Sequence, residues 1–174
     1  AGDLNGVKYR TVGLSADLFK EMGAAVTIMG GGEIVPAMDR GLLDAAEFNN
    51  PSSDKLLGFA DVSKDYMLQS YHQSAESFEI VFNKAKFDAL APELQAIIKY
   101  ASEASSADMS WKAMDRYSTD LAALKEAGVK VHKTPDSVLQ AQLAAWDKVL
   151  AAQSAEPFFA KVLESQKAWV KRVV

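Results

Sequence analysis

Residues 7–12 read Val-Lys-Tyr-Arg-Thr-Val, residues 25–29 Ala-Val-Thr-Ile-Met, and residues 42–48 Leu-Leu-Asp-Ala-Ala-Glu-Phe. These are three short β-prone runs, and what separates them decides the fold. Between the first two lie residues 16–22, a helical pattern with Ser15 as its expected N-cap and Gly23 as its stop. After the second come Gly30-Gly31-Gly32 and then a short helix over residues 33–40, with Pro36 placed in its first turn. Strand, helix, strand, helix, strand with short joints is the pattern of a parallel α/β layer.

The polar turn Asn49-Asn50-Pro51-Ser52-Ser53-Asp54 can cap a helix over residues 55–59. Residues 66–73 and 77–82 read as strands, the second more clearly, and 84–90 as a short helix. From Pro92 to Ala127 the pattern is helical with no internal Gly or Pro, although Ser105-Ser106 offers a place for a break. Such a run exceeds the usual limit of about 25 residues and indicates a coiled coil or a helix bridging two bodies. A strand over 129–132 and helices over 136–153 and 156–174 finish the chain. The organisation expected is therefore 1–76 as α/β layer, 77–127 as strand plus long helix, and 128–174 as C-terminal helices.

Composition narrows the function classes. The 174 residues carry 19 basic and 23 acidic side chains, a net charge of −4 with no block of one sign, which argues against nucleic acid as a partner. Cysteine is absent, so disulfides and thiolate chemistry are excluded. No apolar run approaches the roughly 20 residues that span a bilayer, and the first residues show no signal-peptide pattern. The only histidines, His72 and His132, are too far apart in sequence for a short-spaced zinc site. Trp111, Trp146 and Trp169 fall in helical segments and read as core or interface anchors. The triple glycine lacks the spacing of a P-loop or dinucleotide fingerprint and reads as a turn.

Two residues stand out as candidates for binding. Arg10, within the first strand, has the planar fork that grips a carboxylate bidentately, and its plainer reading is a solvated strand arginine. Glu47 ends the third strand, where open α/β sheets place ligands. It suits a hard cation, with Asn50 reaching a ligand oxygen; equally, Glu47 can be a solvated strand end and Asn50 a turn former. His72 fits the lining of a cleft. An enzyme reading, a lyase or isomerase with Glu47 as base, lacks a second acid–base partner in the sequence, and a helical dimerisation fragment is the other alternative.

In order along the chain, Gly6-Val7-Lys8-Tyr9-Arg10, Gly41-Leu42-Leu43-Asp44-Ala45-Ala46-Glu47, Tyr71-His72, Phe78-Glu79-Ile80-Val81-Phe82-Asn83-Lys84 and Leu90-Ala91-Pro92-Glu93-Leu94-Gln95 resemble the C-terminal half of TRAP-transporter solute receptors of the DctP type. The branch resembled is the one for 2-oxo acids and lactate. The resemblance implies a partial lobe of a type II periplasmic binding protein, a small carboxylate ligand, a TRAP membrane permease as partner, and a periplasmic location. It implies no catalysis. It gives Arg10 to the ligand carboxylate, Glu47 (side chain) and Phe48 (carbonyl) to a Na⁺ or Ca²⁺ ion, and Asn50 and His72 to ligand orientation. Phe48 stands where the branch usually has Trp, and Gln73-Ser74-Ala75 where it has Glu-Pro-Gly. Family members are roughly twice as long, so a homodimer or association with an N-terminal half is expected to cover the apolar strand 78–82.

Overall fold

The computed structural model describes residues 1–73 and 77–174, so the departures expected at Ser74 and Ala75 lie outside the described residues. Among the described residues there are two compact units, one of 1–48, 65–73 and 131–174, the other of 49–64 and 77–130.

The first unit is built on a three-stranded parallel sheet. Its strands β1 (Lys8–Arg10), β2 (Ala25–Thr27) and β3 (Ala45–Ala46) lie in the order β2-β1-β3, with Arg10 opposite both Thr27 and Ala46. Helix α1 (Leu14–Glu21) joins β1 to β2, and α2 (Gly31–Asp39) joins β2 to β3. The chain thus leaves β1 on one side and returns on the other, which makes the carboxyl end of the β1/β3 pair a topological switch point, the usual place for a ligand. On one face of the sheet, Leu18, Phe19 and Ala24 form a core with Ala145 of α7 (Asp136–Gln153), and Tyr9, Val26 and Trp146 pack against it. Successive strand side chains point to opposite faces, so Tyr9 in this core places Arg10 on the other one.

Several expected elements begin or end elsewhere. Ser15 does not cap α1; Gly13, at φ 59°, precedes the first turn, and the Ser15 hydroxyl donates instead to the His72 carbonyl at 3.2 Å. Helix α2 starts at Gly31, so Pro36 sits in its second turn, and Gly31 and Gly32 are helix while Gly30 is its extended N-cap. The N-terminus of α2 is closed by its own Glu33, whose carboxylate accepts from the Gly30 N–H at 2.9 Å. That contact occupies the position a bound anion would take.

The strand expected over 66–73 is confined to β4 (Asp65–Met67), which pairs with β5 (Lys130–His132). His132 at the end of β5 meets Asp65 at 2.7 Å. Beyond β4 the backbone turns to side chains instead of a ladder. The Gln69 carbonyl accepts from Thr134 Oγ1 at 2.7 Å, the Tyr71 N–H donates to Gln142 Oε1 at 2.7 Å, and the Tyr71 carbonyl accepts from Trp146 Nε1 at 2.7 Å. Helix α8 (Pro157–Val173) ends the unit, with Glu156 capping it through Phe158 N–H and Phe159 N–H.

The second unit opens with α3 (Pro51–Leu57), four residues earlier than expected, because Asn50 is an N-cap and Pro51 fits the first helical position. Gly58, at φ 82°, separates it from α4 (Phe59–Val62). After α5 (Lys84–Asp88) comes α6 (Pro92–Glu126), one unbroken helix of 35 residues, about 52 Å long at 1.5 Å per residue. Nothing interrupts it at Ser105-Ser106; nearby Ser102 and Ser110 return their hydroxyls to the carbonyls of Ile98 and Ser106. Helix α3 packs on α6, and Lys55 Nζ bonds Asp120 Oδ1 at 2.8 Å, which holds the Asp120 carboxyl below its ordinary range. Trp111 is 72% exposed and Trp169 in α8 is also exposed, so of the three tryptophans Trp146 alone packs in a core. The expected strand 77–82 has no ladder partner among the described residues. Phe78, Ile80, Val81 and Phe82 are exposed there, Val81 by 82%.

One glycine is fixed by packing. A Cβ on Gly31 would lie 2.6 Å from Phe48 Cε2 and 3.0 Å from Cζ, whereas one on Gly32 would meet nothing within 4 Å. Gly31→Ala is expected to displace the Phe48 ring and to cost about 1–3 kcal/mol. Gly32→Ala is expected to gain up to about 1 kcal/mol of helix propensity. Urea unfolding of the two variants checks this, and equal midpoints would show that the α2–Phe48 contact is not tight.

Candidate functional site

At the carboxyl ends of β1, β2 and β3 the chain brings together Arg10, Met29, Glu47 and Phe48. Sheet pairing fixes this arrangement before any side chain acts. The Glu47 N–H donates to the Arg10 carbonyl at 3.2 Å, so the two residues sit side by side on adjacent strands. Met29 follows β2 by two residues and turns its carbonyl toward the same point.

Arg10 is 4% exposed and its guanidinium is held from two sides. Nε and Nη2 donate to the Met29 carbonyl at 3.1 and 2.9 Å. Nη1 donates to the Glu47 carbonyl and to Glu47 Oε1, both at 2.9 Å. Among the described residues those four bonds use four of the five guanidinium N–H groups and leave one on Nη2. The Phe48 ring centroid lies 5.8 Å from the guanidinium carbon, within cation–π range.

Glu47, with its side chain 8% exposed, is held on its other side by His72, whose Nε2 lies 3.4 Å from Oε2. The His72 ring also sits against Phe19, at 5.7 Å between centroids. Tyr9, on the opposite face of β1, feels the same charges. Burial first, and then the Glu47 carboxylate, push its hydroxyl well above the ordinary 10.0, with Arg10 offsetting part of the rise.

Of the five residues singled out by sequence, Arg10, Glu47, Phe48 and His72 therefore share one cluster in the first unit. Asn50 belongs to the second unit, where its Oδ1 caps α3 by accepting from Ser52 N–H and Ser53 N–H, each at 3.0 Å. The sequence reading missed Met29, Ser70 and Gln142. Gln142 was findable: it stands among Val138, Leu139, Ala145, Trp146 and Val149 at the helical spacing of a core face, and it is 2% exposed.

The donor set can be tested against a hard cation. The Glu47 carboxylate and Phe48 carbonyl are oxygen donors of the right kind, and a calcium ion takes about six to eight. Among the described residues no three His, Cys, Asp or Glu cluster to hold a metal. By donor chemistry alone the two would supply part of such a shell and not the whole of it.

Comparison with known proteins gives a consistent picture. The family described as bacterial extracellular solute-binding protein, family 7 (DctP), matches residues 1–156. The monocarboxylate 2-oxoacid-binding periplasmic protein of Nostoc is 28% identical over 172 residues, which is 98% of this chain and 47% of that protein. A TRAP periplasmic solute-binding protein from Colwellia psychrerythraea, solved with calcium and pyruvate, superposes with a TM-score of 0.90 at 28% identity over 98% of this chain and 53% of that one. One from Pseudoalteromonas atlantica, with sodium and pyruvate, gives 0.82 at 27% identity over 98% and 53%. The chain spans about half the length of the relatives it matches.

The Arg10–Glu47 pair makes a stability prediction that does not depend on any ligand. Removing one partner of a buried ion pair strands the other, so Arg10→Ala and Glu47→Ala should each lose about 3 kcal/mol in denaturant unfolding. The apolar double variant Arg10→Met/Glu47→Leu should recover most of that loss. Losses that simply add would show that the two charges do not act as a pair.

Proposed function

The chain belongs to family 7 of the bacterial extracellular solute-binding proteins, and from that premise we propose that it carries the carboxylate-recognising part of a periplasmic receptor. The ligand class is a small 2-oxo or 2-hydroxy carboxylate, and the receptor hands it to a TRAP membrane permease. The observation that carries this reading is the buried Arg10–Glu47 pair at the carboxyl ends of β1 and β3. It is a positive and a negative group held together where the topology puts ligands.

Arg10 accepts the ligand by exchange. Its remaining Nη2–H meets one carboxylate oxygen, and the other oxygen replaces Glu47 Oε1 on Nη1, which gives the parallel, bidentate geometry that a guanidinium favours. The guanidinium stays paired throughout, so no charge is left uncompensated in a dry site. The bonds from Nε and Nη2 to the Met29 carbonyl hold the fork in plane during the exchange. Glu47, once released from Arg10, and the Phe48 carbonyl would be the residues that hold a hard cation. Such a Na⁺ or Ca²⁺ ion, when bound, supplies the positive charge that Glu47 has given up. The ligands printed for the solved relatives, pyruvate with calcium and pyruvate with sodium, are pairs of this chemistry. Solute-binding proteins hold and release their cargo unchanged, and the cluster requires nothing more.

Thermal unfolding with pyruvate, with calcium chloride and with both tests this. A ligand that binds the folded state alone adds about 2.7 kcal/mol at a hundredfold excess over its dissociation constant. The expected result is a raised midpoint when pyruvate and calcium are present together, smaller for either alone, and lost in Arg10→Lys, which keeps the charge but not the fork. No shift with the pair, or an undiminished shift in Arg10→Lys, would contradict the reading.

A further inference from the structure

Segment 69–72 has no strand partner among the described residues, yet side chains hold each of its residues, and following those bonds in order fixes the state of the His72 ring. The Tyr71 N–H is a donor only, so the Gln142 atom facing it at 2.7 Å is the amide oxygen. The other end of that amide, Nε2, then donates to Ser70 Oγ at 2.8 Å. The His72 backbone N–H donates to the same Oγ at 3.3 Å. Two donors fill the two lone pairs of the Ser70 oxygen, and its own O–H is left to point at its remaining neighbour, His72 Nδ1. Nδ1 is thereby an acceptor, and the proton of the neutral ring resides on Nε2, the nitrogen 3.4 Å from Glu47 Oε2.

We propose that Ser70 and Gln142 are positioning residues that fix His72 as its Nε2–H tautomer and so present a donor, rather than a lone pair, to Glu47. The opposite tautomer would set the Nε2 lone pair against a carboxylate oxygen. With this one, both Glu47 oxygens have complementary neighbours, Oε1 in Arg10 Nη1 and Oε2 in His72 Nε2–H. When Oε1 leaves Arg10, the His72 contact keeps the carboxylate from swinging free. Gln142 is suited to its part because it is 2% exposed on α7, whose packing against α1 anchors it to the sheet. The consequence for ligand affinity rests on the proposed receptor function; the tautomer does not.

Nitrogen-15 NMR of the imidazoles at alkaline pH reads the tautomer directly. The chain has two histidines, and His132→Gln, distant from the cluster in sequence and paired with Asp65, assigns the second. The expected spectrum for His72 has Nδ1 at the frequency of an unprotonated nitrogen and Nε2 at that of a protonated one. In Ser70→Ala, and in Gln142→Met, the two resonances should move toward each other as the Nδ1–H form gains population, and Ser70→Thr should restore the wild-type pattern. A wild-type His72 protonated on Nδ1, or averaged between the two forms, would overturn the proposal even if neither variant folds. An unchanged tautomer in folded Ser70→Ala would overturn it as well. If the receptor reading also holds, Ser70→Ala should weaken pyruvate binding in calcium about tenfold, with Ser70→Thr near wild type. A wild-type protein with the expected tautomer and no response to pyruvate would sink that reading and leave the positioning role standing.

Discussion

Taking a guanidinium and a carboxylate out of water costs several kcal/mol for each ion, and only close pairing with further hydrogen bonds returns it. Arg10 and Glu47 meet that requirement through strand order, two backbone carbonyls and the flanking His72 and Phe48 side chains. Because β1 and β3 are adjacent and parallel, the Glu47 N–H bonds the Arg10 carbonyl, and the two side chains leave neighbouring strand ends. The Met29 and Glu47 carbonyls then take three of the guanidinium protons. Other features of the first unit follow from this pair. Gly31 is bare because the Phe48 ring beside Arg10 needs the space, and His72 is anchored so that it can flank the carboxylate from the far side.

A site of this kind is matched in charge before any ligand arrives. On the proposed reading the resting Arg10–Glu47 contact prefigures the bound one, with Glu47 standing where a ligand carboxylate would stand. Under that proposal, exchange of like for like would keep the buried arginine paired at each stage and would couple capture of an anion to a cation for the displaced glutamate. A receptor built this way discriminates against ligands without a carboxylate, because they have nothing to offer Nη1 in place of Oε1.

Much of the fold was legible because its determinants are local. The alternation of strand and helix over residues 7–48 came from short apolar runs and glycine stops, and the long helix α6 from 35 residues without an internal breaker. Where the reading failed, long-range contacts had displaced local preference. Ser15 has the chemistry of a cap but gives its hydroxyl to the His72 carbonyl, 57 positions away in sequence. Residues 68–73 have the composition of a strand, yet the Gln69 carbonyl bonds the Thr134 side chain, and the Tyr71 N–H and carbonyl bond side chains of α7. The run 77–82 has strand composition and no ladder among the described residues, since propensity cannot supply a neighbour.

The candidate site divides in the same way. Arg10, within the first strand, and Glu47, at the end of the third, stood out by residue type and position, each beside a plainer solvated reading; His72 fitted a cleft, and the family resemblance added Phe48. What the sequence did not reveal is that they bond one another, because strand register and burial, not spacing, decide whether an arginine faces water or a glutamate. Met29 contributes only its carbonyl, so no side-chain pattern could mark it. The central claim is that a ligand carboxylate takes the place of Glu47 on Arg10, and a crystal structure grown with pyruvate and calcium tests it most directly. The pyruvate carboxylate is expected on Nη1 and Nη2 of Arg10, with Glu47 Oε1 withdrawn from its present 2.9 Å contact. Pyruvate bound with that contact intact would contradict it.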